Sequence, residues 1–587
     1  MSSRASLEKI KEFLIKEKID YFIQPNCDEF FSEYFPDYAK RLEFVTGFTG
    51  SNCIVIFGQE KSYFFTDGRY ILQALSQLNS DEFEIINLSQ KSCLEWINKE
   101  LKNQQKISFD SRLFSINFVK ELQKIADNNS LKILALEKNP IDNFWINQPK
   151  KPDSEIYFCC DSITGADSIA KRANICQYLT SDAIIITRPE NICWLLNIRA
   201  SDVAFSPILL AYGILYKDGQ FDLFLDKKRF SSKDLRGLKN VNIVDEACLS
   251  KQIIKISNEQ KTIEIYFSST NYWLYNLLNK HGVKFSNKVD PISLIKSIKN
   301  HNEITGSIKS HEVDGLALTR FLCWFDEKIA NNEEIDELSA AKKLLELRQK
   351  HNDFIYPSFA TISSFASNGA IIHYQPNYKT NKEIKGDSLY LVDSGGQYHG
   401  NEAFGTTDVT RTILVGKASD DMVQNFTRVL KGHIALARAK FPKGTNGSQL
   451  DVLARFHLWQ AQLNYDHGTG HGVGSFLSVH EGPCGISKNY NQELLPGMII
   501  SNEPGYYKAN QYGIRIENLM LVKEISDDFL GFETLTLAPI DSRLIDFAML
   551  TYPEKKWLKQ YHKKIYDLFK KDLNQNEIDW LEKFLTN

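Results

Sequence analysis

Long apolar runs are missing from the 587-residue chain. The longest candidate, at 205–216, is interrupted by Ser206, Pro207 and Gly213, and it is shorter than the roughly 20 apolar residues that a membrane span requires. The N-terminal segment carries charged residues throughout and lacks the uncharged apolar stretch of a signal peptide. The sequence therefore predicts no membrane partner.

An excess of either charge is also missing. Lysine and arginine number 70, aspartate and glutamate number 73, and the formal net charge is −3. A general nucleic-acid binder needs a basic surface to displace counterions from phosphates, so we predict no nucleic-acid partner. The ten cysteines form no CxxC pair, and only Cys159 and Cys160 are close together. This usage is typical of reduced thiols and predicts a cytoplasmic protein.

Histidine is missing from the first 280 residues, and all twelve histidines lie at or after His281. This distribution indicates that the imidazole chemistry belongs to the C-terminal half. Three common catalytic motifs are missing as well, because the chain has no Walker A loop, no GxSxG and no HExxH. These absences disfavour a P-loop NTPase, a serine hydrolase and a zinc peptidase of the HExxH type.

The pattern of predicted elements changes along the chain. Residues 1–150 and 151–291 each alternate short strands with helices, which predicts two α/β domains built as two copies of one plan. A polar stretch with prolines at 143–155 is the predicted linker between them. After Pro291 the apolar residues follow the spacing of long helices, and strands and further helices come next. We therefore predict an α+β domain over 292–587 that ends in a helical tail.

Four carboxylates stand in predicted strands, or at their ends, in the C-terminal half. Asp393 closes LYLVD, Asp408 opens DVTRTILV, Glu503 ends the apolar run of IISNE, and Glu517 lies within GIRIENLMLV. Carboxylates that point inward together repel strongly unless one or more metal ions are present. The alternative interpretation is that they form ion pairs with Arg411 and Arg515.

Three histidines lie in the segment YDHGTGHGVGSFLSVHEGP, namely His467, His471 and His480. Five glycines from Gly468 to Gly482 make the backbone of this segment compliant. Glycine-rich histidine segments also occur as plain loops, but the combination favours a functional site. His373, in GAIIHYQP, is a further candidate that on its own would be a structural histidine.

Together these motifs are more specific than any one of them, and the sequence resembles the aminopeptidase P (Xaa-Pro aminopeptidase) family in its long three-domain form. The matching stretches are GAIIHY, LVDSGGQY, GTTDVTRT, HGTGHGVGSFLSVHEGP, NEPGYY and GIRIEN, with FVTGFTGSN, FFTDGRY and NICWLLNIRASDV nearer the N-terminus. The resemblance implies two creatinase/prolidase-type N-terminal α/β domains followed by a C-terminal pita-bread metallopeptidase domain. It also implies a homodimer.

The resemblance further implies a centre with two divalent metal ions, Mn²⁺ first, with Co²⁺ or Zn²⁺ as alternatives. The metal ligands that it implies are Asp393, Asp408, His471, Glu503 and Glu517. The attacking hydroxide would bridge the metals, Glu503 would accept and return its proton, and His480 would stabilise the tetrahedral intermediate. His373 and His467 would join His480 in binding the substrate and in catalysis, and Arg515 would hold the carboxylates in place.

One feature departs from the family pattern. Asp393 and Asp408 are 15 positions apart, which is longer than the family's usual spacing, and the extra residues fall in the predicted hairpin tip HGNEAFG. An even-numbered insertion at a tip leaves the strand faces unchanged, so both aspartates are still expected to point inward. His399 and Glu402, in that tip, are expected to be solvated rather than to reach the cleft.

Two alternative functions stay open. A prolidase-type dipeptidase would cleave only Xaa-Pro dipeptides and usually has one N-terminal domain, whereas a non-catalytic pita-bread module would serve interactions alone. The second α/β domain at 151–291 favours aminopeptidase P, and the presence of every ligating side chain favours an enzyme. We predict a metal-dependent aminopeptidase that releases the first residue from peptides with proline at the second position.

Overall fold

The structure is a computed structural model that describes residues 3–230 and 238–585. The first half of the chain forms two six-stranded sheets with the same strand order. Counted along each sheet's own chain segment, the strands lie in the order 4-3-2-1-5-6 in both sheets. In both, strand 1 pairs antiparallel with strand 2 and parallel with strand 5. The prediction of two copies of one plan is confirmed.

Residues 3–136 build the first sheet and the helices around it. Its elements are α1 (Ser3–Glu17), β1 (Tyr21–Pro25), α2 (Arg41–Thr46), β2 (Cys53–Gly58), β3 (Ser62–Thr66), α3 (Ile71–Gln77), β4 (Phe83–Asn87), α4 (Cys93–Glu100), β5 (Lys106–Asp110), α5 (Ile116–Asn129) and β6 (Lys132–Leu136). The sheet is covered on both faces, because the neighbouring β1 residues Phe22 and Ile23 belong to separate hydrophobic clusters.

Residues 157–297 contain the second sheet. Its elements are β7 (Tyr157–Phe158), α6 (Asp161–Thr164), α7 (Ser168–Cys176), β8 (Ala183–Ile186), α8 (Pro189–Leu196), β9 (Ile198–Arg199), β10 (Tyr212–Tyr216), β11 (Phe221–Phe224), β12 (Val241–Val244), α9 (Leu249–Asn258), β13 (Thr262–Ile265), α10 (Tyr272–Lys280), β14 (Lys284–Asn287) and α11 (Pro291–Ser297). The expected hairpin joins β10 to β11. Its turn uses Gly219 at φ +84°, a conformation that glycine adopts without steric cost.

The rest of the chain combines long helices with short sheets. Its elements are α12 (His301–Ala330), α13 (Glu337–Arg348), β15 (Phe354–Pro357), β16 (Ile362–Phe365), β17 (Ser388–Ser394), β18 (Gly396–His399), β19 (Phe404–Thr406), β20 (Val409–Val415), α14 (Asp420–Ala437), β21 (Lys440–Pro442), α15 (Gly447–Trp459), β22 (Gly470–Gly472), β23 (Glu481–Ile486), β24 (Ile499–Asn502), β25 (Gly505–Lys508), β26 (Tyr512–Arg515), β27 (Asn518–Glu524), β28 (Phe529–Thr534), α16 (Tyr552–Phe569) and α17 (Gln575–Glu582). Three sheets matter for the site: β16-β17-β20, the pair β25-β26, and β21-β28-β27-β24-β22-β23.

The chain divides into two compact units. One comprises Met1–Asp161 with Ala166–Ile292, and the other comprises Ser162–Gly165 with Ser293–Asn587. The domain boundaries at 150 and 291 stay predictions. No helix in the part of the chain that the structure describes has both the length and the apolar character needed to cross a membrane.

The hairpin tip that the sequence singled out lies between β18 and β19. The Asp353 carboxylate accepts the backbone N–H groups of Glu402 (2.9 Å) and Ala403 (2.8 Å) and so fixes the turn. The Glu402 side chain is exposed, as expected. The His399 ring instead packs against the rings of Phe404 and Phe476, so it is only partly solvated.

Candidate metal centre

Three buried carboxylates from separate parts of the second unit converge on one point. Asp393, Asp408 and Glu517 each offer an oxygen, and these oxygens all lie within 4.8 Å of one another. Asp393 Oδ1, Asp408 Oδ1 and Glu517 Oε1 have no hydrogen-bond partner among the described residues. Buried carboxylate oxygens are normally paired because desolvation without a partner is costly. The donor set therefore fits bound cations.

Antiparallel pairing brings the two aspartates together. Asp393 is the sixth residue of β17 and lies opposite Thr410 of β20, while Asp408 immediately precedes β20. Both aspartates are buried in spite of the long connection between them. That connection contains the β18–β19 hairpin, which belongs to another sheet, with β15.

Glu503 and Glu517 lie where two paired strands pass from one sheet to another. Asn502 pairs with Asn518 in the six-stranded sheet, and Gly505 pairs with Arg515 in the two-stranded sheet. The prediction of one continuous strand through GIRIENLMLV was wrong, because the chain leaves the ladder between β26 and β27. There Glu517 N–H donates to the Thr410 carbonyl (3.2 Å) instead.

His471 and His480 complete the cluster. His471, on β22, places Nε2 3.4 Å from Asp408 Oδ2 and 3.5 Å from Glu503 Oε1. The His480 ring lies edge-on to the His471 ring, with 4.2 Å between centroids. Two further groups have ligand atoms within 4.8 Å of one another: Asp408 with His471 and His480, and His471 with Glu503 and Glu517. The structure thus brings all five predicted ligands and His480 together.

Of the other two predicted histidines, His467 lies beside this cluster rather than in it. His467 Nδ1 is 3.8 Å from Glu503 Oε2, and its Nε2 is 2.9 Å from the Tyr507 hydroxyl. His373 is half-buried in the segment between β16 and β17, next to Ile372. Neither histidine belongs to the three groups of possible ligands found among the described residues.

Arg515 supports two of the carboxylates. Its Nη2 donates to Asp393 Oδ2 (2.6 Å), and its Nε donates to Thr410 Oγ1 (3.1 Å). Thr410 Oγ1 in turn donates to Glu517 Oε2 (2.8 Å). Arg515 Nη1 donates to the Tyr507 hydroxyl (2.6 Å). The arginine thus fixes one oxygen of Asp393 directly and one of Glu517 through Thr410, and the other oxygen of each stays available.

Of the ion pairs in the alternative interpretation, the one with Arg515 forms, to Asp393, but the one with Arg411 does not. Arg411 is buried, and the hydrogen bonds that it donates to other described residues go to backbone carbonyls, the Asn518 side chain and the Tyr561 hydroxyl. One of those carbonyls belongs to Glu517 (2.7 Å). Arg411 therefore holds the backbone at Glu517 and joins it to α16, which carries Tyr561.

The charges of the cluster do not balance. Burial, aided by the neighbouring carboxylates, raises the pKa of Asp408 to about 6, although His471 opposes the shift. Burial and the charge of Asp408 raise the pKa of Glu517 well above its usual value. Burial alone would lower the pKa of His471, but Asp408 and Glu503 raise it to about 9. Four carboxylates against one arginine and one histidine leave an excess of negative charge that divalent cations can neutralise.

Sequence reasoning missed three side chains that position the site. Tyr507 joins Arg515 to His467, and Thr410 joins Arg515 to Glu517. Arg455, on α15, donates to the carbonyls of Tyr465 and His467 (both 2.8 Å) and so holds the histidine-bearing segment. The tyrosine in NEPGYY and the threonine in DVTRT were visible in the motifs, but only the folded chain shows what they touch.

Comparison with known proteins decides the family. The model of metallopeptidase family M24 matches residues 307–524, and a C-terminal region of the same peptidases matches 528–585. Two models of the creatinase/prolidase N-terminal domain match 7–138 and 147–303. Xaa-Pro aminopeptidase 1 of Dictyostelium discoideum is 36% identical over 98% of this chain and 95% of its own length.

The chain belongs to the Xaa-Pro aminopeptidases of metallopeptidase family M24. A probable Xaa-Pro aminopeptidase P of Laccaria bicolor is 35% identical over 98% of this chain and 92% of its own length. The structure of an X-prolyl aminopeptidase from Caenorhabditis elegans, described as a cytosolic enzyme with a di-nuclear active site, superposes with a TM-score of 0.95 at 30% identity. That match covers 100% of this chain and 99% of the other.

The predicted fold class is confirmed. Two creatinase/prolidase-type α/β domains precede a pita-bread catalytic domain, as in the Xaa-Pro aminopeptidases of the long form. An Xaa-Pro dipeptidase from Bacillus anthracis, 21% identical, covers only 64% of this chain with a TM-score of 0.51, which shows a shared fold alone.

Proposed function

We propose that this protein is a metal-dependent aminopeptidase that hydrolyses the bond between an N-terminal residue and a following proline. The observation that carries the proposal is the convergence of three buried carboxylates, each with one oxygen that has no hydrogen-bond partner among the described residues, next to His471 and Glu503. Similarity along the full length to Xaa-Pro aminopeptidases favours this activity over that of a dipeptidase.

Asp393, Asp408, His471, Glu503 and Glu517 would hold two divalent ions. Because four of these five ligands bind through oxygen, a hard ion is favoured, and we propose Mn²⁺ before Co²⁺ or Zn²⁺. When bound, the ions supply Lewis acidity toward the scissile carbonyl and the attacking water. The fixed oxygens of Asp393 and Glu517 accept bonds from Arg515 and Thr410, which leaves the opposite oxygen of each carboxylate for an ion.

The chain's own residues supply the proton transfers and the orientation. We assign Glu503 as the group that takes the proton from the attacking water and returns it to the leaving nitrogen. His480, beside His471, would donate a hydrogen bond to the oxygen that becomes negative in the tetrahedral species. His467 and His373 would line the substrate cleft and bind the scissile region and the proline side, and Tyr507 fixes the His467 ring.

Hydrolysis by metal-stripped protein tests the proposal. An Ala-Pro-Pro tripeptide and an Ala-Pro dipeptide are incubated with and without Mn²⁺, and released alanine is measured. We expect Mn²⁺-dependent cleavage of the tripeptide and little of the dipeptide. Glu503→Gln should lower kcat by about 10²-fold or more, whereas Glu524→Gln, at an exposed glutamate, should leave kcat unchanged. Cleavage of the dipeptide alone would assign a prolidase activity, and cleavage of neither would refute the proposed specificity.

A homodimer is the proposed assembly, and one face of α15 supports it. Val452, Leu453, Phe456 and Trp459 follow helical spacing, and each side chain is exposed, Phe456 to 49%. A continuous apolar helix face of this kind is typical of an interface. Phe456→Glu should convert the dimer to a monomer in sedimentation velocity, whereas Phe529→Glu, at an apolar residue 43% exposed on β28, should not. A wild-type monomer at micromolar concentration would refute the proposal.

A cytoplasmic location is also proposed. The described chain contains ten free cysteines and no disulfide, which suits a reducing compartment. The Caenorhabditis elegans relative is described as cytosolic. Fractionation of cells that express the chain would test the location, and recovery in a secreted or membrane fraction would contradict it.

A further inference from the structure

One side-chain cluster near the metal centre has no part in the reaction described above. Glu481 accepts hydrogen bonds from Lys296 Nζ (2.6 Å at Oε2) and from Lys299 Nζ (2.5 Å at Oε1). All three side chains are exposed by 2% or less. We call Lys296, Lys299 and Glu481 the buried triad. It contains two ammonium groups for one carboxylate.

The triad ties a connecting segment to the catalytic strands. Lys296 and Lys299 lie between the last turn of α11 and the start of α12. The backbone of this segment is also fixed, since Lys299 N–H donates to the Gly497 carbonyl (3.0 Å) and Ile298 bridges to Met498. Residue 498 immediately precedes β24, the strand that leads to Glu503.

The carboxylate of the triad is covalently next to His480. Glu481 is the first residue of β23 and pairs with Gly472 of β22, the residue after His471. A Cβ atom at Gly472 would lie 2.2 Å from the Glu481 carbonyl oxygen, so glycine there permits the close approach of the two strands. The backbone pairing and the side-chain clamp together fix the peptide that carries His480 beside His471.

Stability alone does not explain why three charged side chains are buried at this position. Moving charged groups out of water is costly, and well-packed apolar residues in place of a buried ion pair are often neutral or stabilising. Hydrogen bonds between charged side chains are, however, strong and directional, so they fix the direction of a side chain more closely than apolar packing does. The triad therefore fixes the direction of the Glu481 side chain at the start of β23.

We propose that Glu481, clamped by Lys296 and Lys299, is a positioning residue that orients His480 toward the scissile carbonyl. The proposal rests on the function proposed for His480 above. It gives the segment at 296–299, between α11 and α12, an indirect effect on the reaction through the orientation of His480. The contrasting explanation is that the triad only stabilises the fold.

A triple variant distinguishes the two explanations. Lys296→Met, Lys299→Met and Glu481→Leu together remove the clamp without leaving a buried charge unpaired. A matched control, Lys431→Met with Glu554→Leu, removes another buried lysine–glutamate pair of the same unit, between α14 and α16. A third variant, Lys296→Arg with Lys299→Arg, keeps the charges and serves as the conservative rescue.

The kinetic readout is the split between kcat and KM for Ala-Pro-Pro, measured with the Mn²⁺ dissociation constant and the Tm of the metal-free protein. For the triple variant we expect kcat to fall about tenfold or more, with KM and the Mn²⁺ affinity changed by less than about threefold. The control should keep the wild-type kcat whatever its Tm, and the arginine variant should keep most of it. A triple variant with wild-type kcat would overturn the proposal.

A crystal structure of the triple variant gives a readout that does not depend on turnover. The centroids of the His471 and His480 rings are 4.2 Å apart in the intact chain. We expect the His480 ring to be displaced by about 1 Å or more, or to be disordered, in the triple variant. If wild-type protein cleaves no Xaa-Pro peptide, the proposed function fails, yet an unmoved His480 ring would still refute the positioning role on its own.

Discussion

Glu517→Gln should stabilise the metal-free protein and weaken its response to metal. Glu517 is buried, and one of its oxygens lies within 4.8 Å of an oxygen from each of Asp393 and Asp408. Without a metal ion, burial and these neighbours raise its pKa, which means that the folded state disfavours the charged form. Glutamine keeps the shape and the bond from Thr410 but removes the charge.

The size of the effect follows from the geometry. Two like charges 4.8 Å apart repel by about 3 kcal/mol at an effective dielectric constant of about 20, and Glu517 has two such neighbours. Proton uptake by Glu517 relieves part of this repulsion in the wild type. We therefore expect Glu517→Gln to raise the free energy of unfolding of the metal-free protein by about 2–4 kcal/mol near pH 8. Because the folded-state pKa of Glu517 is raised, the wild type loses stability as pH rises through it. The gain from glutamine should accordingly be small in acid and largest in base.

Thermal unfolding in the presence of a chelator measures this gain. For a domain of this size we expect Tm to rise by about 5 °C in Glu517→Gln near pH 8, and added Mn²⁺ to raise Tm less in the variant than in the wild type. Glu554→Gln is the matched control, because Glu554 is a buried glutamate paired with Lys431, and its neutralisation should lower Tm. A lower Tm for metal-free Glu517→Gln would show that the carboxylates do not repel one another, and it would refute the metal-centre reasoning.

Three further outcomes are expected. Burial raises the pKa of Asp28 to about 7, so the stability of the wild type should fall as pH rises from about 4 through 7. In urea unfolding, Asp28→Asn should raise the free energy of unfolding by up to about 4 kcal/mol at pH 8 but little at pH 4. Arg515→Lys cannot keep the bond to Asp393 together with its other bonds, so calorimetric titration should show about 10–100-fold weaker Mn²⁺ binding, and unchanged binding would contradict that support. Tyr561→Phe removes the hydroxyl that accepts a hydrogen bond from Arg411, so the free energy of unfolding should fall by about 1–3 kcal/mol while kcat is unchanged. A lower kcat would instead assign α16 a role in the reaction.

Local patterns in the sequence were sufficient for much of the architecture. The alternation of strands and helices predicted two related α/β domains, because the spacing of apolar residues reports which face of an element is buried. The carboxylates Asp393, Asp408, Glu503 and Glu517 indicated a metal centre or ion pairs, since carboxylates in apolar surroundings need a compensating cation. The full ligand set with His471 came from the resemblance of the motifs to the aminopeptidase P family. The domain pattern and the group of carboxylates depend only on residue type and short-range spacing, which a single chain displays directly.

The tertiary structure alone decided how those residues meet. Glu517 was expected inside a strand, but it lies in a crossing between two sheets, because β26 pairs with β25 whereas β27 pairs with β24 and β28. At the crossing the Glu517 N–H donates to the carbonyl of Thr410, a residue remote in the sequence. The ties from Arg515 through Thr410 to Glu517, and from Lys296 and Lys299 to Glu481, span about 100 residues or more and leave no periodic trace in the sequence. Such contacts are set by the packing of distant elements, and the chemistry of the centre depends on them.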